Sequence, residues 1–175
     1  MAGSLIEIQK VTVSSAVSSV TLTGMDSTYD VYKLVINNLT PSTINADTYL
    51  LLTEGGSVSN DSDYDEVAKM FRTDTTFSDL TDTNRAFWVL SGSLNNTVGK
   101  GLNNVTYIFN ANNSSDYTFV TIDSNYLAED TTTLLGIKGG GTYTQKTTVD
   151  GVHIKMEGPT SNIASGTFTL YGLKK

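Results

Sequence analysis

Residues able to carry out acid–base, nucleophilic or thiol chemistry are scarce in this sequence. Its 175 residues include one histidine, His153, and no cysteine. Disulfides, thiol nucleophiles, cysteine-ligated zinc and iron–sulfur clusters are therefore excluded. A Ser-His-Asp triad would have to use His153, yet no Gly-x-Ser-x-Gly motif presents a serine for attack. The alternation Val152-His153-Ile154 places the imidazole on the polar face of a predicted strand, so we interpret it as a surface histidine.

Acidic side chains form the only pattern that suggests a metal. Asp61, Asp63 and Asp65 alternate as the oxygen ligands of a calcium loop do. An EF-hand loop also needs glycine at its sixth position and a bidentate glutamate at its twelfth, where this chain has Glu66 and Arg72. We therefore expect a solvated surface loop and no metal or cofactor, with a calcium site of another type on the three aspartates as the weaker alternative.

Carboxylate pairs of the kind that hydrolyse sugars are not indicated. Such enzymes need two carboxyl groups facing each other across a cleft. Asp116, Asp123, Glu129 and Asp130 are available, but their spacing favours no pair among them. Together with the isolated histidine, this predicts that the protein is not an enzyme.

Charge and glycine patterns argue against nucleic acid and nucleotides as ligands. Eighteen acidic and eleven basic residues give a net charge of −7, and the basic residues are scattered. Contacts to phosphate backbones need clustered lysine and arginine. The runs Gly99-Lys100-Gly101 and Gly139-Gly140-Gly141 do not fit the phosphate-loop motif. We interpret both runs as loop glycines.

Aromatic side chains could stack on a carbohydrate if they were exposed. Trp88 lies in a run that is apolar on both parities, so we expect it in the core rather than on a binding platform. Tyr126, Tyr143 and Tyr171 are the better candidates for exposed rings.

The elements that position these residues are predicted to be β-strands throughout. Thr, Ser and Asn account for 27, 18 and 14 residues, whereas charged residues are only 17% of the chain. Threonine suits a pleated surface with one wet face, and Asn, Ser and Gly favour turns. Helix surfaces need the Glu, Lys, Arg and Ala that are in short supply here. The composition therefore predicts an all-β fold.

Period-2 alternation predicts about ten strands, spaced as in a sandwich or barrel, with no domain-sized linker within residues 1–175. A change of parity between Ile8 and Val11 indicates a bulge. The segment 65–72 fits a strand or a helix, and its neighbours favour the strand. Asp150-Gly151 is the strongest short hairpin signal. That hairpin is predicted to join strands at residues 144–149 and 152–156. The other strand assignments are residues 6–13, 20–23, 29–37, 49–53, 85–90, 105–109, 117–122 and 167–171, with a hairpin loop at 110–115.

Two stretches at the ends of the chain carry a resemblance to a known group of proteins. Near the start, Tyr29-Asp30-Val31-Tyr32 follows a hairpin-like run, and near the end stands Ser165-Gly-Thr-Phe-Thr-Leu-Tyr-Gly172. In this, and in the order of the strands between, the chain resembles small virion structural proteins of tailed bacteriophages. The resemblance implies a single jelly-roll-like antiparallel β-sandwich on the outside of a capsid or tail, and it brings no active-site residues.

These observations together predict a structural role on the outer surface of a phage particle. The negative charge disfavours the DNA-facing wall of a capsid. We expect a head decoration or cement protein that contacts the major capsid protein and forms a homo-oligomer, a trimer by preference. The alternatives are a tail- or fibre-associated structural protein, and a module that binds cell-surface glycans. The N-terminus has no signal-peptide pattern and no apolar run spans a membrane, so we expect synthesis in the host cytoplasm and no membrane partner.

Overall fold

The computed structural model describes residues 4–74, 77–158 and 160–173, and within these ranges the chain forms thirteen β-strands and no helix. The all-β prediction is therefore confirmed. The strands are β1 (Leu5–Val13), β2 (Ser19–Thr23), β3 (Val31–Pro41), β4 (Ala46–Glu54), β5 (Ser57–Val58), β6 (Tyr64–Arg72), β7 (Ser78–Arg85), β8 (Trp88–Leu94), β9 (Leu102–Phe109), β10 (Thr118–Leu127), β11 (Leu134–Tyr143), β12 (Gly151–Met156) and β13 (Ile163–Leu173).

Four nested antiparallel pairs define the architecture. Strand β1 pairs with β13, β2 with β12, β3 with β9, and β4 with β8. Because β13 also pairs with β3, and β12 with β4, the strand orders are β1-β13-β3-β9 in one sheet and β2-β12-β4-β8 in the other. Nested pairing of this kind rolls an antiparallel ribbon into two facing sheets, which is the jelly-roll arrangement. The predicted jelly-roll-like sandwich is confirmed.

Two insertions enlarge one sheet of this jelly roll. Strands β5–β7 lie between β4 and β8 along the chain, and β10–β11 lie between β9 and β12. Strands β10, β11, β6 and β7 add to the free side of β9 and produce an eight-stranded antiparallel sheet. We call these four strands the extension. It brings together segments that are far apart in sequence, because β6 pairs with β11 across about 70 residues.

A buried aromatic cluster joins the extension to the body of the jelly roll. Trp88 of β8 is fully buried, as predicted, and its indole Nε1 donates to the backbone oxygen of Asp65 on β6 at 3.0 Å. Its ring meets Tyr64 edge to face, with 4.9 Å between centroids. Gly141 of β11 lies against the same indole, since a Cβ there would be 2.3 Å from Trp88 Nε1. One continuous core therefore includes both the jelly roll and the extension.

Several local predictions are confirmed. The ambiguous segment 65–72 belongs to strand β6. The register of β1 against β13 shifts between Glu7 and Gln9, which is the expected bulge. Strands β9 and β10 form the predicted hairpin around residues 110–115.

The predicted hairpin at Asp150-Gly151 is wrong. Strand β12 begins at Gly151 and pairs with β2 and β4, and residues 144–150 form no strand. Glycine is required at 151 for close approach, because a Cβ there would lie 2.4 Å from the backbone oxygen of Leu22. The Asp150 carboxylate accepts from Thr53 Oγ1 at 2.6 Å and from the Gly56 amide at 2.7 Å. The dipeptide therefore closes the end of β4 instead of making a two-residue turn.

No helix in the described part of the chain is long and apolar enough to cross a membrane.

Candidate binding face

The eight-stranded sheet presents one of its two faces to solvent. Along β10, Thr118, Val120 and Ile122 are buried, whereas Phe119 and Thr121 are exposed. This is the alternation expected of an antiparallel sheet packed on one side only. We call the exposed side the outer face, and it holds the features most suited to binding.

An apolar patch covers the outer face of the extension. Phe77, just before β7, is 70% exposed and Val67 of β6 is 64% exposed, values far above those of the core. Phe71 packs edge to face against Phe77, with ring centroids 5.4 Å apart. We define the extension patch as the exposed apolar side chains on these strands and the adjoining segment: Val67, Phe71, Phe77, Phe119 and Leu134.

Glycines in β11 form depressions between these side chains. Gly136 lies across from Phe71, and a depression of about 230 Å³ is lined there by Phe71 and Leu134. Gly140 lies across from Val67, and a second depression of about 450 Å³ is lined there by Val67 and Phe119. The extension patch thus has both projecting rings and recesses, as packed protein interfaces require.

The charged side chains crossing the extension patch neutralise each other. Lys69 forms an ion pair with Asp79, and Lys138 Nζ lies 3.0 Å from Asp123 Oδ2. All four side chains are at least half exposed, so each pair contributes little stability. The charges of these two pairs balance on a protein whose total is −7, while Asp65 and Asp82 line the recess beside Val67.

A shallow polar groove lies beside the extension patch. Its volume is about 720 Å³ and its floor is formed by β3, β9 and β10. Lys33 Nζ lies 5.5 Å from the ring centroid of Tyr107, and Asn37, Thr121 and Asn125 line the groove around them. Amides, hydroxyls and an aromatic ring are the groups with which proteins contact sugars.

The inner side of β6 carries the most perturbed carboxyl group. Glu66 is only 5% exposed, and its Oε2 accepts from the Val89 amide of β8 at 3.0 Å. Its other oxygen, Oε1, has no hydrogen-bond partner. Burial raises the pKa of Glu66 to about 7, opposed by the Val89 hydrogen bond and by the positive charge of Arg85.

Two of the three candidate calcium ligands are engaged in separate contacts. Asp63 Oδ1 accepts from Gln145 Nε2 at 2.9 Å, and Asp65 Oδ1 accepts from the Asn84 amide at 2.9 Å. Asp61 is exposed in the preceding loop. Within residues 4–74, 77–158 and 160–173, no group of three or more His, Cys, Asp or Glu residues is arranged to hold a metal ion. The calcium alternative therefore has no geometric support.

His153 lies on the solvent side of the small sheet, as predicted. Its Nδ1 is 2.8 Å from Thr21 Oγ1 on the neighbouring strand β2. Partial burial lowers the pKa of His153, and the positive charge of Lys155 lowers it further. The contact with Thr21 is a cross-strand hydrogen bond of ordinary type.

Three of the four carboxylates considered for sugar hydrolysis have separate structural contacts. Asp123 pairs with Lys138, and Asp116 accepts from Asn113 Nδ2 at 2.8 Å. Asp130 accepts from the amides of two following threonines and from a hydroxyl, which lowers its pKa to about 2. Glu129 is exposed.

The prediction for the tyrosines is wrong at two of three positions. Tyr126 and Tyr143 are 2% and 1% exposed, and only Tyr171 is partly accessible. Tyr126 OH accepts from the Gly92 amide at 2.9 Å, and Tyr143 OH donates to Glu54 Oε1 at 2.5 Å. Both tyrosines point inward because they share the parity of the buried residues on their strands, such as Ile122 on β10 and Ile137 on β11. Their hydroxyls find polar partners at the rim of the core.

The glycine runs also differ from expectation in one case. Gly99-Lys100-Gly101 lies outside the strands, as predicted, but residues 139–141 belong to β11.

The sequence analysis did not predict the buried position of Glu66 or the extension patch. The exposed alternation of Val67, Lys69 and Phe71 was the available signal for the patch, but alternation alone does not say which face is buried.

No family model matches this chain, and no curated protein matches it.

Proposed function

We propose that this protein is a structural component of a bacteriophage particle that decorates the outer surface of the head and cements neighbouring subunits. The observation that carries the proposal is the extension patch, with exposed apolar rings and recesses on a rigid sheet. Exposed apolar groups concentrated on one surface favour contact with another protein. A rigid sheet holds such a patch in place without disulfides, which this sequence cannot form.

The electrostatics support a position on the outside of a shell. The charges of the two ion pairs that cross the patch balance each other, whereas the whole chain carries −7. Negatively charged surfaces repel DNA and each other, so this balance lowers the repulsion that a neighbouring subunit meets at the patch.

The edges of the large sheet are poorly suited to carry this contact. The outer edge strand β7 carries Asp79 and Asp82, and the opposite edge strand β1 is interrupted by its bulge. Charges and bulges are devices that protect sheet edges from pairing. Contact through the face of the extension is therefore favoured over strand addition, and we propose that copies also associate with each other, as a trimer by preference.

Copy number per particle tests the proposed location. In purified particles of the phage that encodes this sequence, gel densitometry against the major capsid protein is expected to give hundreds of copies. Antibody labelling is expected on the head. Tens of copies with label on the tail would refute head decoration and support the tail or fibre alternative, and absence from the particle would refute both.

Substitution in the extension patch tests whether this patch is the docking surface. We expect Phe77→Ser combined with Phe71→Ser to abolish binding to particles stripped of this protein, because Phe77 is the most exposed side chain of the patch and Phe71 packs against it. Val98→Ser is the matched control, since Val98 is 86% exposed but lies outside the patch. If the double variant binds as the control does, the patch is not the docking surface. Far-UV circular dichroism checks that both variants fold.

A glycan-binding adsorption module is the second candidate, and the polar groove is the specific observation that favours it. Tyr107, Asn125 and Thr121 supply a ring, an amide and a hydroxyl around one recess. A glycan array is expected to show binding that Tyr107→Ala removes if this candidate holds. Absence of binding to every glycan, with and without calcium, would refute it.

A further inference from the structure

Glu66 makes one of the buried contacts between the extension and the jelly roll. Strand β6 contacts β8 through two hydrogen bonds from neighbouring residues, Trp88 Nε1 to the Asp65 oxygen and the Val89 amide to Glu66 Oε2, each at 3.0 Å. The first bond joins neutral groups that do not titrate near neutral pH. The second depends on a carboxyl group that can gain or lose a proton.

The surroundings of Glu66 suit a protonated carboxyl better than a carboxylate. The side chain is 95% buried, and Oε1 is left without a partner. A buried carboxylate with an unpaired oxygen is costly, whereas a neutral carboxyl loses far less on burial. Oε2 can accept from Val89 in either form, so the proton can reside on Oε1.

The charged groups near Glu66 do not remove this cost. Both lie on β7, where Arg85 favours the carboxylate and Asp82 disfavours it. Arg85 is itself shared, because its Nε lies 3.4 Å from Asp82 Oδ2 and its guanidinium lies over the Phe87 ring at 4.7 Å. Strand β8 contains no ionisable side chain, and β11 places Gly141 opposite Glu66. Burial is therefore the dominant influence.

We propose that a proton on Glu66 fastens the β6–β7 hairpin onto β8, and that loss of this proton loosens the hairpin from the jelly roll. The fold thus contains a pH-sensitive contact between the insertion and the body. The inference concerns this contact and does not depend on the proposed role in a phage particle.

The direction and size of the pH effect on docking of the β6–β7 hairpin follow from proton linkage. The pKa of Glu66 is raised from 4.5 to about 7 in the docked state, and an opened hairpin exposes the carboxyl and returns it to its ordinary value. The docked state therefore binds more protons between these values, and docking weakens as the pH rises through that window and levels off above it. The opening equilibrium constant is expected to increase roughly 30-fold between pH 5.5 and pH 8.

Amide hydrogen exchange of the intact chain at pH 5.5 and pH 8, corrected for intrinsic exchange rates, measures this opening. Peptides from β6 and β7 are expected to show the increase, and peptides from β3 and β13 to show much less. Glu66→Gln is expected to reduce the pH effect in β6 and β7 to that of the other strands. Glu7→Gln, at an exposed position, is the matched control and should leave the effect unchanged.

A titration of the unmodified protein guards against a variant that fails to fold. Carbon-13 spectra of the side-chain carboxyls are expected to show one glutamate with a midpoint near 7, assigned to Glu66. A Glu66 midpoint near 4.5 would overturn the proposal. An equal increase in amide hydrogen exchange in every strand between pH 5.5 and pH 8 would also overturn it, because Glu66 would then affect the stability of the whole fold instead of the β6–β7 hairpin.

Discussion

Gly141 offers the sharpest test of how the extension is held against the jelly roll. Its position on β11 is occupied by glycine because the indole of Trp88 lies directly beneath. A Cβ at this position would be 2.3 Å from Trp88 Nε1 and 2.6 Å from the backbone oxygen of Asp65. These two atoms are the donor and acceptor of the hydrogen bond that joins β8 to β6. Gly141→Ala therefore forces either the indole or the strand to move.

The expected loss of stability can be estimated from three effects. Forcing a methyl group into a packed core costs about 1–3 kcal/mol. Losing the Trp88–Asp65 hydrogen bond costs about 1 kcal/mol. The lower entropy of alanine in the unfolded chain returns about 0.4–1 kcal/mol. The net loss is about 1–3.6 kcal/mol, which corresponds to a decrease in Tm of roughly 2–14 °C for a chain of this size.

Urea unfolding followed by fluorescence measures this loss directly, since Trp88 is the only tryptophan. Gly136→Ala is the matched control on the same strand, because the nearest atom to its Cβ would be Asn125 Oδ1 at 3.4 Å. We expect the control to stay within about 1 kcal/mol of the parent protein. Equal stability of the two variants would refute the claim that contact with Trp88 requires glycine at 141.

Three further measurements address other parts of the structure. Asp150→Ala should reduce the free energy of unfolding by about 2–4 kcal/mol, measured in urea, because it removes charge-assisted hydrogen bonds to Thr53 and Gly56. The hydrogen bonds of Asp130 lower its pKa from 3.8 to about 2. Its contribution to the free energy of unfolding is therefore complete above pH 3.8 and is lost as the pH falls through 2. Asp130→Asn should differ from the parent protein in Tm at pH 5 but not at pH 1.5. Adding calcium or a chelator should leave Tm unchanged, whereas an increase with calcium would revive the aspartate site at residues 61–65.

Much of the fold could be predicted from the sequence because strand positions depend mainly on the pattern of neighbouring residues. Alternation in segments such as residues 105–109 and 117–122 identifies strands, and threonine-rich composition identifies the class. Pairing partners are not encoded in this way. Asp150-Gly151 has the ideal composition for a turn, but the tertiary contacts of Asp150 with β4 override it. Local propensity is a weak guide wherever such long-range contacts compete.

The candidate surfaces were harder to predict because they depend on which strands become neighbours. The extension patch combines β6 with β10 and β11, whose pairing no local pattern specifies. The glycine run 139–141 was interpreted as a loop, although close approach of Trp88 and Ala68 is what requires small residues there. Glu66 likewise looked like one more acid in a solvated segment. Its burial appears only once β8 lies beneath β6.

Adjacent residues of β6 link the two proposals. Glu66 points inward to β8, whereas Val67 points outward into the extension patch. If the β6–β7 hairpin loosens from β8, the extension patch on its outer face is no longer held in one conformation. A mobile surface must become ordered when it binds a partner, and this ordering weakens the affinity. If both proposals hold, binding through the patch should be stronger at pH 5.5 than at pH 8, and Glu66→Gln should reduce that difference while Glu7→Gln leaves it unchanged. Equal affinity of the unmodified protein at the two pH values would show that protonation of Glu66 on the inner face of β6 does not affect binding through the extension patch on its outer face.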